Sequence, residues 1–346
     1  MSTIQPSLIT TDLEFDTDGV QYGTLRVPYS HDRSAYGHVP IPAMVAKRGR
    51  GPTLLLTGAN HGDEYEGPVA LMRLMRELPI DELNGRLIVV PALNYPAYLA
   101  GTRTSPIDKG NLNRVFPGNR NGTVTEMIAH YVETVLIPLA DYAIDFHAGG
   151  SSLNYLPTLF VDRPQTLEEA DRLERILTAF APPRAMYWDY LGEDRVLGAA
   201  AHRQKTFFMT GEFGGGATVN LEGLEVVRAG IAGVMSALEM LPGSTVSRPA
   251  RTIRRLELTG EHLYLFAPCG GIFEPAFRLG DEVVAGQLAG VIHDPVTPWR
   301  DPVPVVFNAS GVALCIRTFA LVQPGDCLGH LGQDVDALHS TQFPQT

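Results

Sequence analysis

From about Gly23 to Thr245 the chain alternates short, wholly apolar runs with longer stretches in which apolar residues recur every three or four positions. Residues 53–58 (TLLLTG) read as a buried strand, and residues 67–78 as a helix with Val69, Met72, Met75 and Leu78 on one face. A second buried strand is predicted over 86–92. A long polar loop, 93–121, follows it, rich in Asn, Gly, Pro and Arg. A loop of that length in a compact domain is usually functional. Helix 124–136, strand 140–147, helix 165–180, strand 206–211 and helix 220–241 complete the pattern. Strands apolar along their whole length and interleaved with helices predict a layered α/β domain whose sheet is largely parallel.

After Leu241 the pattern changes. Residues 242–250 (PGSTVSRPA) read as a linker, and 251–333 become short β runs punctuated by Gly and Pro. Two parts of this tail, beginning at Gly271 and Gly311, each place a strand, a Gly-Asp turn and another strand in the same order. This quasi-repeat resembles the hammerhead-like β sandwich of biotinyl and lipoyl carriers. Such carriers need a lysine at the hairpin between the halves, and the last lysine of this chain is Lys205. A tethered-cofactor role is thereby excluded, and the tail is expected to be a wall or lid over a site in the first domain. At ~100–200 residues per domain, 346 residues make two. The expected division is residues 1–245 for the catalytic unit and 251–335 for the β unit that caps it.

Composition narrows the class. Acidic residues outnumber basic ones, 38 to 27, which argues against nucleic-acid or polybasic membrane-surface binding, because phosphate partners need a cationic face. Three cysteines without C-x-x-C spacing give no disulfide framework and fit a reducing compartment. No basic-then-apolar leader is recognisable at the N-terminus, and no apolar stretch approaches the ~20 residues that cross a bilayer. A cytoplasmic, soluble protein is expected.

Three clusters carry candidate chemistry. His61-Gly62-Asp63-Glu64 follows the strand 53–58 directly, at a strand carboxyl end, where α/β sheets hold ligands. His147 ends a second strand, DYAIDFH. Two histidines and one glutamate are a common protein ligand set for catalytic Zn²⁺. Asp145 lies two residues before His147, on the same strand face, and could orient a ligand imidazole. The bare H-x-x-E pattern is weak, since His130-Tyr131-Val132-Glu133 matches it inside a predicted amphipathic helix. There the bland reading, a helix histidine, is preferred; for His61 the competing reading is a capped turn that starts a helix. In the long loop, Arg103 and Arg114 suit a small anionic substrate, because guanidinium forks bind carboxylates and stabilise oxyanions. The alternative for each is a loop arginine that is solvated or paired with one of the surplus acids. Glu212, at the end of an apolar strand and before Gly214-Gly215-Gly216, is a candidate general base. A phosphate loop is disfavoured there, since neither G-x-x-x-x-G-K-[ST] nor G-x-G-x-x-G is present.

In order, HGDE (61–64), GNLNRVFPG (110–118), DFHAGG (145–150) and GEFGGG (211–216) resemble the succinylglutamate desuccinylase/aspartoacylase family. The likeness spans about residues 20–333. It implies a zinc-carboxypeptidase-like mixed sheet flanked by helices, with a C-terminal all-β, barrel-sandwich-like domain. It also implies His61, Glu64 and His147 as ligands of one Zn²⁺ per chain, and Glu212 as general base. Arg103 would polarise the scissile carbonyl, and Asn113 with Arg114 would clamp the substrate carboxylate. The stretches LTGANHGDEYEGPVAL, RTSPIDKGNLNRVFPG and NGTVTEMIAHY extend the likeness to the branch that deacetylates N-α-acetyl-L-2,4-diaminobutyrate in ectoine breakdown. The expected activity is zinc-dependent removal of an acetyl group from a small N-acyl amino acid, with a homodimer as the assembly. The same fold could serve another N-acyl amino acid or a carboxypeptidase substrate. A mononuclear Fe(II) oxygenase uses a similar ligand triad, and a non-enzymatic binding protein is the remaining alternative. Residues 151–205, with Trp188-Asp189-Tyr190, depart most from the family pattern and are expected to set specificity.

Overall fold

The computed structural model describes residues 6–188, 192–242 and 252–336. Residues 243–250 of the expected linker, and Asp189 and Tyr190, lie outside these. The strands of the first half are β1 (Gly19–Pro28), β2 (His38–Arg48), β3 (Thr53–Gly58), β4 (Gly85–Val90), β5 (Tyr142–His147), β6 (Leu153–Tyr155), β7 (Thr158–Val161), β8 (Arg184–Trp188) and β9 (Phe207–Glu212). The helices are α1 (Glu66–Glu77), α2 (Tyr95–Ala100), α3 (Val124–Tyr131), α4 (Leu167–Phe180), α5 (Leu197–Arg203) and α6 (Leu221–Ala237).

The sheet runs β1-β2-β4-β3-β5-β9-β7-β8 and then continues into the tail. Its centre is parallel, β3 pairing with β4 and β5, and β5 with β9. The sheet as a whole is mixed, because β2 runs antiparallel to β4 and β7 antiparallel to β9. Every residue of β3 is buried, the expected result for a strand covered on both faces. On one face α1, α4 and α6 pack over Leu54, Leu56, Ile144 and Phe146. The opposite face buries Leu55, Ile88 and Ala143 against α3 and α5.

Two expectations are revised. The loop 93–121 contains α2 and a one-turn 3₁₀ segment, Leu112–Arg114. The helix over 124–136 keeps α-geometry only to Tyr131. It widens into a π-helical turn, Val132–Leu136, and closes as 3₁₀ over Ile137–Leu139, where Pro138 has no N–H to continue the ladder. α3 and α4 both open with capping boxes, Thr123/Glu126 and Thr166/Glu169.

The tail contributes β10 (Arg254–Leu258), β11 (Tyr264–Phe266), β12 (Gly271–Pro275), β13 (Glu282–Val283), β14 (Leu288–His293), β15 (Val303–Val306), β16 (Gly311–Arg317), β17 (Leu321–Val322) and β18 (Cys327–Asp334). A four-stranded antiparallel sheet, β15-β14-β12-β17, faces β18 and β16 across a core that includes Phe273, Phe277, Phe307, Leu314 and Leu328. The quasi-repeat is visible in the backbone. Gly280 and Gly325 hold equivalent turns at φ 87° and 86°, a region glycine enters without penalty. The following Asp281 and Asp326 each accept the N–H three residues back, from Arg278 and Gln323, both at 2.8 Å. The tail is stitched to the first half by β10 alongside β8 and by β6 alongside β16.

Candidate metal centre

Strand order explains why distant segments meet. β3, β5 and β9 are neighbours and parallel, so their carboxyl ends share one edge. The HGDE turn leaves β3, His147 ends β5, and in the β5/β9 register His147 lies beside Glu212. The turn is pinned from behind. Gly62 donates its N–H to Thr102 O at 3.0 Å, and a Cβ there would stand 2.0 Å from the Ala97 backbone, so no other residue fits. The same hydrogen bond holds Arg103 next to the turn.

The ligand-type atoms of His61, Glu64 and His147 all lie within 4.8 Å of one another, and all three residues are buried. Among the described residues no other His/Cys/Asp/Glu group has this spacing. His61 Nδ1 is 2.7 Å from Glu64 Oε1, and His147 Nδ1 is 2.8 Å from Glu64 Oε2. The opposite nitrogens also face acceptors: His61 Nε2 meets Asn111 Oδ1 at 3.2 Å, and His147 Nε2 meets Asp145 Oδ2 at 2.7 Å. A neutral imidazole carries one proton. If it is donated outward, as those acceptors require, two Nδ1 lone pairs confront a carboxylate. A metal ion between them removes that conflict, as a second proton does on His147 when the ion is away, so the donor set fits a divalent metal with two nitrogens and one carboxylate. Burial favours neutral His61 and lowers its pKa. Burial acts the same way on His147, but Asp145 and Glu64 outweigh it and raise its pKa well above the usual value. Burial would raise Glu64, yet the two imidazoles hold it below the usual carboxylate range.

Asp145 is fully buried and accepts two further bonds, from Thr57 Oγ1 at 2.6 Å and Asn60 Nδ2 at 2.9 Å. Asp63 does a different job. It accepts the Ser151 N–H at 2.7 Å and the Ser151 hydroxyl, tying the HGDE turn to the loop after His147.

Glu212 stands beside this cluster with its Oε2 sealed from solvent and without a hydrogen-bond partner. Burial, reinforced by the Glu64 carboxylate, pushes it up to about 8. Arg103 Nη1 approaches His61 Nδ1 at 3.4 Å and Glu64 Oε1 at 3.8 Å, over the ligand atoms and half open to solvent. Arg114 stands further out, its Nη1 donating to Asn113 O at 2.6 Å. Asn113 Oδ1 accepts the Leu197 N–H at 2.8 Å, so this side chain anchors α5 and keeps only its amide nitrogen to donate elsewhere. The second H-x-x-E match has no such surroundings: Glu133 is paired through both oxygens with Arg203, at 2.8 Å each.

Reasoning from sequence missed Asn111, Asn60 and Thr57, whose amide and hydroxyl groups carry no motif of their own. It expected the tail beside the site but did not name the residues that make the contact. Tyr155 Oη is 3.1 Å from His330 Nε2 on β18, and both residues are buried. The Thr318 N–H donates to Ser152 O at 3.0 Å, which ties the tail to the loop after His147.

Residues 50–238 match the model of the succinylglutamate desuccinylase/aspartoacylase catalytic domain. The N-alpha-acetyl-L-2,4-diaminobutyric acid deacetylase of Halomonas elongata is 38% identical, over 96% of this chain and 97% of that protein. The chain belongs to the succinylglutamate desuccinylase/aspartoacylase family. Among solved structures, the product-bound ectoine utilization protein EutE (DoeB) of Ruegeria pomeroyi superposes with a TM-score of 0.90 at 36% identity, over 95% of this chain and 99% of that one. The apo form of that protein gives 0.82 at 34% identity, over 95% and 100%. As a member of this family the chain is a hydrolytic deacylase, and its mixed sheet with an appended β layer is the fold of these neighbours. Among the described residues no helix is long and apolar enough to cross a membrane.

Proposed function

We propose that this deacylase hydrolyses N-α-acetyl-L-2,4-diaminobutyrate to L-2,4-diaminobutyrate and acetate, with one Zn²⁺ per chain held by His61, Glu64 and His147. The observation that carries the reading is the pair of imidazole Nδ1 atoms facing the Glu64 carboxylate, with the unpartnered Glu212 Oε2 alongside. Its likeness to the Halomonas deacetylase over nearly the whole of both chains supports the choice of substrate.

When bound, zinc supplies Lewis-acid polarisation and lowers the pKa of a coordinated water toward ~7. Glu212 accepts the proton of the attacking water, a role that its place beside His147 at the end of β9 allows. It then returns that proton to the departing amine nitrogen. The Arg103 guanidinium, beside the ligand atoms, stabilises the negative charge that builds on the acyl oxygen. Arg114, assisted by the Asn113 amide, holds the substrate α-carboxylate and so positions the amide for attack. In this reading residues 1–245 carry the chemistry and residues 251–335 form its cap, supported by the Tyr155–His330 and Thr318–Ser152 contacts. A cytoplasmic location suits the three free cysteines. Light scattering in solution checks the homodimer that the family resemblance implies.

The test is zinc stoichiometry measured together with acetate release from N-α-acetyl-diaminobutyrate, its γ-acetyl isomer, N-acetylaspartate and a peptide, with succinate release from succinylglutamate alongside. Zinc at one per chain, with turnover fastest on the α-acetyl compound, is expected. Turnover confined to the peptide or to an acidic substrate overturns the substrate. Full activity after exhaustive chelation overturns the metal.

A further inference from the structure

A diaminobutyrate derivative carries a free γ-ammonium, and the residues discussed so far give that end of the substrate nothing to bind. Glu193, in the segment between β8 and α5, meets the need. Its carboxylate is only partly committed. Oε1 is filled by Arg195, which donates its backbone N–H at 3.0 Å and its Nε at 2.8 Å. Oε2 accepts a single hydrogen bond, from Arg195 Nη2 at 2.8 Å. A carboxylate oxygen has two acceptor positions, so one remains on Oε2. That oxygen lies 3.8 Å from Arg114 Nε, an ion-pair separation too long for a hydrogen bond. The side chain is about a quarter exposed, whereas its tether Arg195 is mostly exposed.

We propose that Glu193 is a specificity-determining residue that binds the γ-ammonium of the substrate through Oε2 while Arg114 binds the α-carboxylate. This rests on the substrate reading given above. The spacing follows from covalent geometry. The carboxylate carbon and Nγ of a diaminobutyryl group are joined through four bonds of ~1.5 Å, so they lie ~4–5 Å apart. A carboxylate seated on Arg114 therefore leaves the ammonium within reach of Glu193. Arg195 keeps Glu193 ionised and aimed: its hydrogen bonds, foremost, hold the carboxyl down at about 2. The same arrangement disfavours acidic side chains such as those of aspartate or glutamate, which would face a like charge. Bulk aliphatic side chains would leave the Glu193 oxygen unpaired.

The test compares wild type with Glu193→Gln and Glu193→Asp on two substrates, N-α-acetyl-diaminobutyrate and N-acetyl-norvaline, which puts a methyl in place of the ammonium. The wild-type preference for the cationic substrate in kcat/KM should fall about 10-fold in E193Q, mainly through KM, as expected for loss of one partly exposed charged hydrogen bond. E193D, which keeps the charge, should retain more of the preference than E193Q. Raising salt should erode the wild-type preference and leave the smaller E193Q preference less affected. If E193Q lowers both substrates equally, Glu193 serves only to hold Arg195 and Arg114, and the proposal is overturned; an unchanged ratio overturns it too. If wild-type enzyme releases no acetate from N-α-acetyl-diaminobutyrate but hydrolyses another substrate in the panel, the substrate reading has failed instead, before any variant is measured.

Discussion

Asp145→Asn isolates one charge inside the hydrogen-bond network behind His147. Asp145 Oδ2 receives His147 Nε2 at 2.7 Å and Asn60 Nδ2 at 2.9 Å, while Oδ1 receives the Thr57 hydroxyl at 2.6 Å. In the asparagine variant the amide oxygen can take the place of Oδ2 and still serve both donors. The amide nitrogen then faces the Thr57 hydroxyl, which turns to accept. Geometry is conserved and only the charge is lost. A hydrogen bond to a charged group is worth ~1.5–3 kcal/mol and a neutral one ~0.5–1.5 kcal/mol, so the loss is about 1–1.5 kcal/mol, or about 10-fold in zinc affinity. Asp145→Ala goes further. It leaves the His147 Nε2 proton, the Asn60 amide and the Thr57 hydroxyl without that acceptor in a site closed to bulk water. Loss near ~100-fold is expected, the upper end for removing an outer partner of a metal ligand, together with a lower melting temperature. Competition for zinc against a chromophoric chelator measures both variants. If each binds within threefold of wild type, Asp145 does not act through the ligand imidazole and the account of the centre is wrong.

Glu212→Gln should lower kcat by ~10²–10⁴ with zinc content unchanged, read by acetate release and metal analysis on the same sample. Arg103→Ala should cost ~10²–10³ in kcat while the protein melts close to wild type, because its guanidinium is half open to solvent. Gly62→Ala should weaken zinc binding and lower the melting temperature, since its Cβ would meet the Ala97 backbone, which cannot turn aside as a side chain can. Metal-free protein should lose stability as pH rises from about 7 to 8. Burial holds Glu66 at about 7 and Glu212 at about 8, both above the ordinary 4.5, so these carboxyls keep protons in the folded state that the unfolded chain has lost, while the opposite contribution of His61 and His330, whose pKa values burial lowers, fades above the ordinary 6.5 of histidine. A chelator-treated melting temperature that climbs over the same range contradicts those shifts, and Glu66→Gln or Glu212→Gln should flatten the fall.

Much of this was legible because strands covered on both faces must be apolar throughout. TLLLTG and the run ending at His147 therefore announced themselves, and so did the candidate site residues at their carboxyl ends. The Gly-Asp turns of the tail were legible for a local reason as well. Gly280 and Gly325 sit at a positive φ where other residues are strained, and the aspartate beside each closes the turn. The π-helical widening at Val132–Leu136 was not legible, since its residues keep helical periodicity and only the register of the hydrogen bonds changes. The short β6 was missed likewise: three residues carry no period, and they are extended because β16 pairs with them from the tail.

The amino-acid sequence alone determined which residues could do chemistry, because histidine, glutamate and arginine at strand ends and in a polar loop are costly unless used or solvated. It could not say which of them share a point in space. His61 and His130 begin the same four-residue pattern, and only the parallel pairing of β3, β5 and β9 brings the first to His147 and Glu212, while the partner glutamate of the second is taken by Arg203. Asn111, Asn60, Thr57 and Glu193 belong to the tertiary structure for the same reason. A neutral amide or one acid among many acquires a role only when folding removes water and leaves it as the nearest partner of a buried or charged group.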